Sequence, residues 1–196
     1  MRGRWRVFPD GEPEAMGRLL VILIAALAFG ALSGVAAYQR LGPASAATVA
    51  ARWREMSWPF PRDGWPAGRA FRCADCGDVE LYVRPKIGFC NCDTGVADDE
   101  EVDRVADLEL ISARFVPLEA GRVVHVADMA GRSRAYDLAM PDAPYTAVGF
   151  ALSHRCDLVV AVVKGRVAAS ELQKQAQRLL ESQELHRWMM AALGGR

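Results

Sequence analysis

The sequence lacks an excess of charge of either sign. Its 196 residues contain 24 lysines and arginines against 24 aspartates and glutamates, so the formal net charge at neutral pH is zero. This balance argues against a protein that binds nucleic acid mainly by neutralising phosphates. A charged fraction of 24% beside 52% hydrophobic residues argues against a disordered polyelectrolyte. We therefore expect a folded domain and no nucleic-acid partner.

Motifs that define a reaction are also missing. The chain has three histidines and no G-x-S-x-G, H-E-x-x-H, Walker or G-x-G-x-x-G pattern. His154 and Cys156 are two positions apart and would point to opposite faces of a strand, so a Cys–His nucleophile requires a turn there. We assign no catalytic and no cofactor-binding residue, and we expect a protein that is not an enzyme.

One long apolar run is present near the N-terminus. Residues 19–39 contain twenty-one positions without a charge, and as a helix they would span about 32 Å and cross a bilayer. Four arginines precede the run and three follow it closely, and basic residues favour the cytoplasmic side. The sequence predicts a cytoplasmic tail over 1–18, a transmembrane helix over 19–39 and a C-terminal periplasmic domain at the inner membrane. The alternative is a secreted protein, cleaved after Ala46.

The next segment, residues 40–69, is predicted to lie beside the membrane. It begins with an amphipathic helix over 45–57, and a Trp/Pro-rich stretch follows in which three prolines and a glycine prevent regular structure. Trp53, Trp58 and Trp65 have two interpretations. They rest at the membrane interface or on a membrane subunit, or they pack on the core of their own domain.

From residue 70 the pattern changes to the apolar–polar alternation of strands. Short turns between the strands favour antiparallel pairing, and a helix over 170–193 carries an apolar stripe for the sheet. We predict that residues 70–196 form an α+β domain, a mostly antiparallel sheet of five or six strands packed by a C-terminal α-helix. The strands are expected near residues 79–83, 114–119, 122–127, 133–138, 146–152 and 157–163, with Pro85 ending the first of them.

Acidic residues are concentrated in the first part of this domain. Residues 73–109 contain eleven acidic and three basic side chains. Residues 98–108 are predicted to form a helix whose first turn carries carboxylates, where the helix dipole favours them. The spacing lacks the glycine and the final glutamate of an EF-hand loop, so we interpret the cluster as a solvated face.

Four of the five cysteines fall within twenty residues: Cys73, Cys76, Cys90 and Cys92. In an oxidising periplasm they would form two disulfides whose pairing the sequence does not fix. The fifth, Cys156, would then be a free thiol or would displace one partner from the cluster.

The same four cysteines allow two other interpretations, a zinc site and a thiol-redox site. Cys-x-x-Cys-Gly has the shape of one zinc knuckle, although Cys90-Asn91-Cys92 departs from the usual second half. A thiol-redox site needs its first sulfur at a helix N-terminus, whereas a strand is predicted to follow here, and Asp75 and Asp78 would disfavour the thiolate.

These patterns together predict a non-enzymatic, membrane-anchored periplasmic accessory or assembly subunit of a membrane protein complex, with a disulfide-stapled domain. The expected partners are a membrane protein or a second copy of the chain, and the bilayer through residues 19–39. A structural zinc-binding domain or a thiol-redox protein based on the Cys73 to Cys92 cluster is the alternative.

Overall fold

The fold is that of a computed structural model, and the structure describes residues 52–61, 63–88 and 93–194. The predicted tail over 1–18 and the predicted membrane span over 19–39 lie outside these residues. Within them, no helix is both long enough and apolar enough to span a bilayer.

Eight strands of the described residues form one sheet in which every pair is antiparallel. The order is β1-β2-β3-β8-β7-β6, and β4 and β5 pair with successive stretches of β6 to form the far edge. The strands are β1 (Arg54–Met56), β2 (Arg69–Cys73), β3 (Val79–Lys86), β4 (Phe115–Pro117), β5 (Arg122–Val126), β6 (Met129–Leu138), β7 (Tyr145–His154) and β8 (Asp157–Gly165).

Helices cover both faces of the sheet. On one face lie α2 (Ala169–Leu180) and α3 (Gln183–Gly194), whose buried side chains join a core that includes Leu81 and Phe150. On the other face lies α1 (Asp99–Val105), which joins a second core around Tyr136. The predicted α+β class with an antiparallel sheet is thus confirmed, and the described residues contribute three helices to it.

Strand β1 corrects the predicted helix over residues 45–57. In the described part of that segment, Arg54–Met56 pairs with β2, so the sheet begins before residue 70. The helical spacing of Trp53 and Met56 suggested a helix, but the open edge of β2 offers backbone hydrogen bonds that a short strand satisfies. With β1 and β2 added to the predicted strands, the sheet has eight strands rather than five or six.

Strand β3 continues through Pro85, which we expected to end it. Pro85 lies opposite Val159 of β8, whereas β2 pairs only with Val79 to Val83. Beyond Val83, β3 therefore has a partner on one side only, and a residue without a backbone N–H is tolerated at such a local edge.

The predicted single helix over 170–193 is two helices that meet at Glu181 and Ser182. On a continuous helix, Leu185 would lie about 140° away from the direction of Leu180. The break turns α3 so that Leu185 and Met189 rejoin the core of Leu172 and Leu180. Sequence periodicity found the apolar positions but not this change of phase.

The aromatic stretch before β2 packs on the domain itself. Trp53 is 8% exposed within the larger core. Trp58 and Phe60 contact the ring of Tyr82 at centroid distances of 6.3 and 4.9 Å. For Trp53 and Trp58, the structure therefore supports packing on their own domain rather than contact with the membrane or a membrane subunit.

Candidate functional site

Acidic side chains at four-residue spacing hold α1 on the sheet. Asp99 accepts a hydrogen bond from Arg132 Nε at 3.0 Å, and Asp103 accepts from Arg134 Nη1 at 2.7 Å and from the Tyr136 hydroxyl at 2.6 Å. Residues four apart on a helix share one face. These carboxylates of the predicted acidic face are therefore paired with sheet cations rather than freely solvated.

Asp107 is the third member of this series and the most buried. Its carboxylate accepts from Arg84 Nε and from Lys86 Nζ, each at 2.6 Å, and Lys86 Nζ also donates to the carbonyl of Val105 at 2.9 Å. The side chains of Arg84 and Lys86 are 4% and 5% exposed. A buried charge is tolerated when it is paired in this way, so the cluster is a structural tie between β3 and the end of α1.

Arg84 also ties down the aromatic stretch. Its Nη1 donates to both carboxylate oxygens of Asp63, at 2.7 and 2.9 Å. Burial by itself would raise the pKa of Asp63, but the hydrogen bond and charge of Arg84 hold it below its ordinary value. Arg84 thus bridges two carboxylates from two different segments.

A second charge cluster surrounds Glu80 on the same sheet face. Glu80 accepts from Arg72 Nε and forms an ion pair with Lys164 Nζ, each at 2.9 Å, and it also accepts from the Tyr82 hydroxyl. Burial would raise the pKa of Glu80, but these three donors outweigh it and lower the pKa to about 2. Burial and the same carboxylate raise the pKa of Tyr82.

A row of charged residues crosses four adjacent strands here. Arg54 of β1 lies opposite Arg72 of β2, Arg72 lies opposite Glu80, and Glu80 lies opposite Lys164 of β8. One carboxylate is therefore shared by two cations in the row. The side chain of Arg54 has no hydrogen bond or ion pair within the described part of the chain.

Beside this row lies a surface groove of about 400 Å³. Arg52 stands at its wall and donates to the backbone carbonyl of Asp75 at 3.2 Å. Of the two acids in the lining, Glu55 already accepts from Arg69 Nε at 2.7 Å. We call this groove, lined by Arg52, Arg54, Glu55, Met56, Arg72 and Asp75, the arginine groove.

The opposite edge of the sheet has a different chemistry. The large apolar side chains that the described residues leave exposed are Val116, Leu118 and Val123, at 63%, 49% and 65%. All three lie on β4, on β5 or between them. We call this strip, residues 115–126, the apolar edge.

The cysteines are paired in part as expected. Cys73 and Cys76 form a disulfide, with their Cα atoms 5.3 Å apart, at the end of β2 and the short 3-10 helix Ala74–Cys76 that follows. Cys73 is fully buried in the larger core. Cys156 is also in a disulfide, so it is not the free thiol that we considered, and its partner lies outside the described residues.

The Cys73–Cys76 disulfide bears on both alternative interpretations of the cysteines, the zinc site and the thiol-redox site. A zinc site on the four clustered cysteines needs Cys73 and Cys76 as thiolates, which requires the reduced protein. A redox site needs an accessible first sulfur, whereas Cys73 is buried. In the described residues, no three His, Cys, Asp or Glu side chains converge in the manner of metal ligands. Cys90 and Cys92 lie outside those residues.

The histidines do not assemble with a nucleophile in the described residues. His154 ends β7, and the sulfur of Cys156 in the turn beyond it is held in a disulfide. His186 Nε2 lies 3.6 Å from a carboxylate oxygen of Asp128 on the surface. His125 lies exposed on β5.

Sequence reasoning missed both the arginine groove and the apolar edge. Arg52 and Arg54 counted only toward membrane orientation, since their place opposite Arg72 follows from strand pairing that no local pattern encodes. The sequence also does not predict that Val123 is exposed, because the neighbouring Val124 is the same residue type and is buried.

Comparisons with known proteins add little to this description. No family model matches the chain, and no curated protein matches its sequence. Among solved structures, it is similar to the Saccharomyces cerevisiae Ran-binding protein Mog1p, with 11% identity, a TM-score of 0.41, and coverage of 74% of this chain and 88% of that one.

Two bacterial structures are also similar. A Bacteroides thetaiotaomicron VPI-5482 protein shows 11% identity and a TM-score of 0.37 over 67% of this chain, which spans only 41% of the length of that protein. A Pseudomonas aeruginosa protein of unknown function, described as a putative regulator, shows 10% identity and a TM-score of 0.33 over 64% of this chain and 79% of that one. These similarities are too distant to carry an argument about function. The candidate sites therefore stand on their own geometry.

Asp107→Asn tests the buried tie between β3 and α1. Asp107 has a φ of +57°, which asparagine also adopts, so the change removes the charge while the backbone is retained. Two buried cations lose their shared partner, and we expect the free energy of unfolding to fall by about 3 kcal/mol in urea denaturation. Asp128→Asn, at an exposed surface pair, is the control. Equal effects of the two changes would contradict the tie.

Acid unfolding tests the Glu80 cluster. Because the folded-state pKa of Glu80 is lowered from 4.5 to about 2, its stabilisation is fully present above 4.5 and is lost as the pH falls toward 2. In Glu80→Gln we expect the acid-dependent loss of unfolding free energy in this range to shrink by about 2 kcal/mol. Glu119→Gln, an exposed carboxylate paired with exposed Arg122, is the matched control and should keep the wild-type profile.

Alkylation without reductant tests the cysteine assignments. For the unreduced, denatured chain we expect four of the five cysteines to resist alkylation, because Cys73, Cys76 and Cys156 are in disulfides and the last needs one partner. Intact mass spectrometry counts the modified thiols. Alkylation of the whole cluster after treatment with a chelator, together with about one zinc per chain, would favour the zinc alternative instead.

Proposed function

We propose that the chain is a non-enzymatic accessory subunit of a membrane protein complex, anchored in the inner membrane through residues 19–39, and that its periplasmic domain binds a protein partner along the apolar edge. The observation that carries the proposal is the exposure of Val116, Leu118 and Val123 on that edge. Exposed apolar side chains grouped in one place are typical of interaction surfaces.

The position of these side chains favours an extended partner segment. Val116 lies opposite Asp137 of β6 and Val123 lies opposite Arg132. Asp137 and Arg132 are five positions apart on a continuous strand, so Val116 and Val123 point to opposite faces of the sheet. A strand added along the outer side of β4 and β5 would cover Val116 on one face and Val123 on the other, which is the β-augmentation mode of recognition.

The use of charge in the interior supports a binding role rather than catalysis. Glu80, Arg84, Lys86 and Asp107 are the buried charged residues of the described part of the chain, and each is engaged in ion pairs that hold segments together. Groups committed to such ties are not poised for proton transfer, which requires access to a substrate.

The anchor is tested by membrane extraction. We expect the full chain to stay in the membrane pellet in alkaline carbonate, and Phe29→Arg to release it, because an arginine at the centre of a span raises the insertion free energy by about 3 kcal/mol. Ala47→Arg, the same added charge outside the predicted span, is the control. A mature N-terminus directly after Ala46 would establish the secreted alternative.

The apolar edge is tested by photo-crosslinking in native membranes. A photoreactive amino acid in place of Val123 should give a discrete adduct, and Val116→Lys added to that chain should abolish it, because a charge on the edge disfavours the approach of another strand. The same photoreactive residue in place of Ala191, exposed on α3, is the control position.

The mass of the adduct identifies the partner. An adduct that contains a membrane protein supports the proposal. An adduct at twice the mass of the chain makes the edge a contact between two copies, and equal labelling at both positions rejects the edge as a specific surface. A thermal unfolding scan of Val116→Lys shows whether the variant is folded.

A further inference from the structure

The arginine groove carries positive charge that the domain itself does not neutralise. Arg54 and Arg72 are directly opposed on β1 and β2, and like charges in this arrangement destabilise a sheet. Arg72 shares Glu80 with Lys164, and Arg54 has no partner in the described residues. The sheet thus keeps an unfavourable pair at the wall of an open groove.

An anion in the groove would remove this repulsion. Guanidinium groups donate paired hydrogen bonds that match the oxygens of a phosphate, and arginine is favoured over lysine where such forked recognition is needed. Three arginines line the groove, and its volume of about 400 Å³ lies in the range of small-molecule sites. Of its acids, Glu55 is bound to Arg69, which leaves Asp75 as the acid that reduces the positive potential.

The place of the groove along the chain indicates where the phosphate comes from. Arg52 and Arg54 are the first basic residues of the described domain, and twelve residues separate Arg52 from the end of the predicted span at Gln39. Twelve residues reach at most about 40 Å when extended. The length of this connection therefore allows the groove to reach the lipid surface.

We propose that the arginine groove binds the phosphate groups of anionic phospholipids at the surface of the membrane in which the chain is anchored. The inference rests on the proposed anchor, which brings the groove to the headgroups. Binding there would hold the β1 edge toward the bilayer and leave the apolar edge, on the other side of the sheet, facing outward.

Hydrogen exchange on the full chain in nanodiscs tests this inference. The probes are discs of phosphatidylcholine alone and discs of equal parts phosphatidylcholine and phosphatidylglycerol. We expect the anionic discs to slow exchange in β1 and β2 by about fivefold, the equivalent of ~1 kcal/mol for one arginine at an anionic surface. Arg54→Gln should return the rate to its value in neutral discs. Arg122→Gln, an exposed arginine of the far edge, should not.

Equal exchange in both kinds of disc would overturn the inference. Equal protection by inorganic phosphate added to neutral discs would also overturn it, because the ligand would then be a free anion. Retained β3 and β8 protection in Arg54→Gln shows that the variant is folded. A chain that does not insert into discs refutes the anchor, and flotation with phosphatidylglycerol vesicles then tests the groove separately.

Discussion

The carboxylate of Asp107 is the contact on which one whole face of the domain depends. It lies between Arg84 and Lys86, two buried cations of β3, and it comes two residues after the end of α1. Since Arg84 also binds Asp63, the same cation fixes the stretch that carries Trp58 and Phe60 over the sheet. Removing one partner would leave uncompensated charges in a low-dielectric interior. The ion pairs of Asp107, Arg84, Lys86 and Asp63 therefore stabilise this face only together.

The tie explains why so acidic a segment packs on a sheet. The carboxylates of α1 meet Arg132 and Arg134 on β6 at one end, and Asp107 meets β3 at the other. Between these ends, Val102 and Ala106 pack in the second core. Two carboxylates of α1, Asp99 and Asp103, are therefore bound to the sheet, as are its apolar side chains.

The two edges of the sheet are suited to different partners. From β1 to the line of β4 and β5, six strand spacings of about 4.8 Å give a width of roughly 30 Å. Arginines stand at the first edge and exposed valines at the second. If the first edge lies on lipid, as we propose, the second is presented to a protein some distance from the bilayer. This arrangement fits an accessory subunit that needs no catalytic group.

Local sequence patterns predicted the positions of six strands, the acidic helix and the cysteine cluster, because alternation, capping and turn residues are encoded by neighbouring residues. The tertiary structure alone decided that Arg54 opposes Arg72, that Asp107 joins two cations and that α3 turns at Ser182. It also decided that Pro85 remains in a strand. These features depend on which strands become neighbours and in what register. Pairing of that kind is set by packing across the whole domain, so no short stretch of sequence contains it.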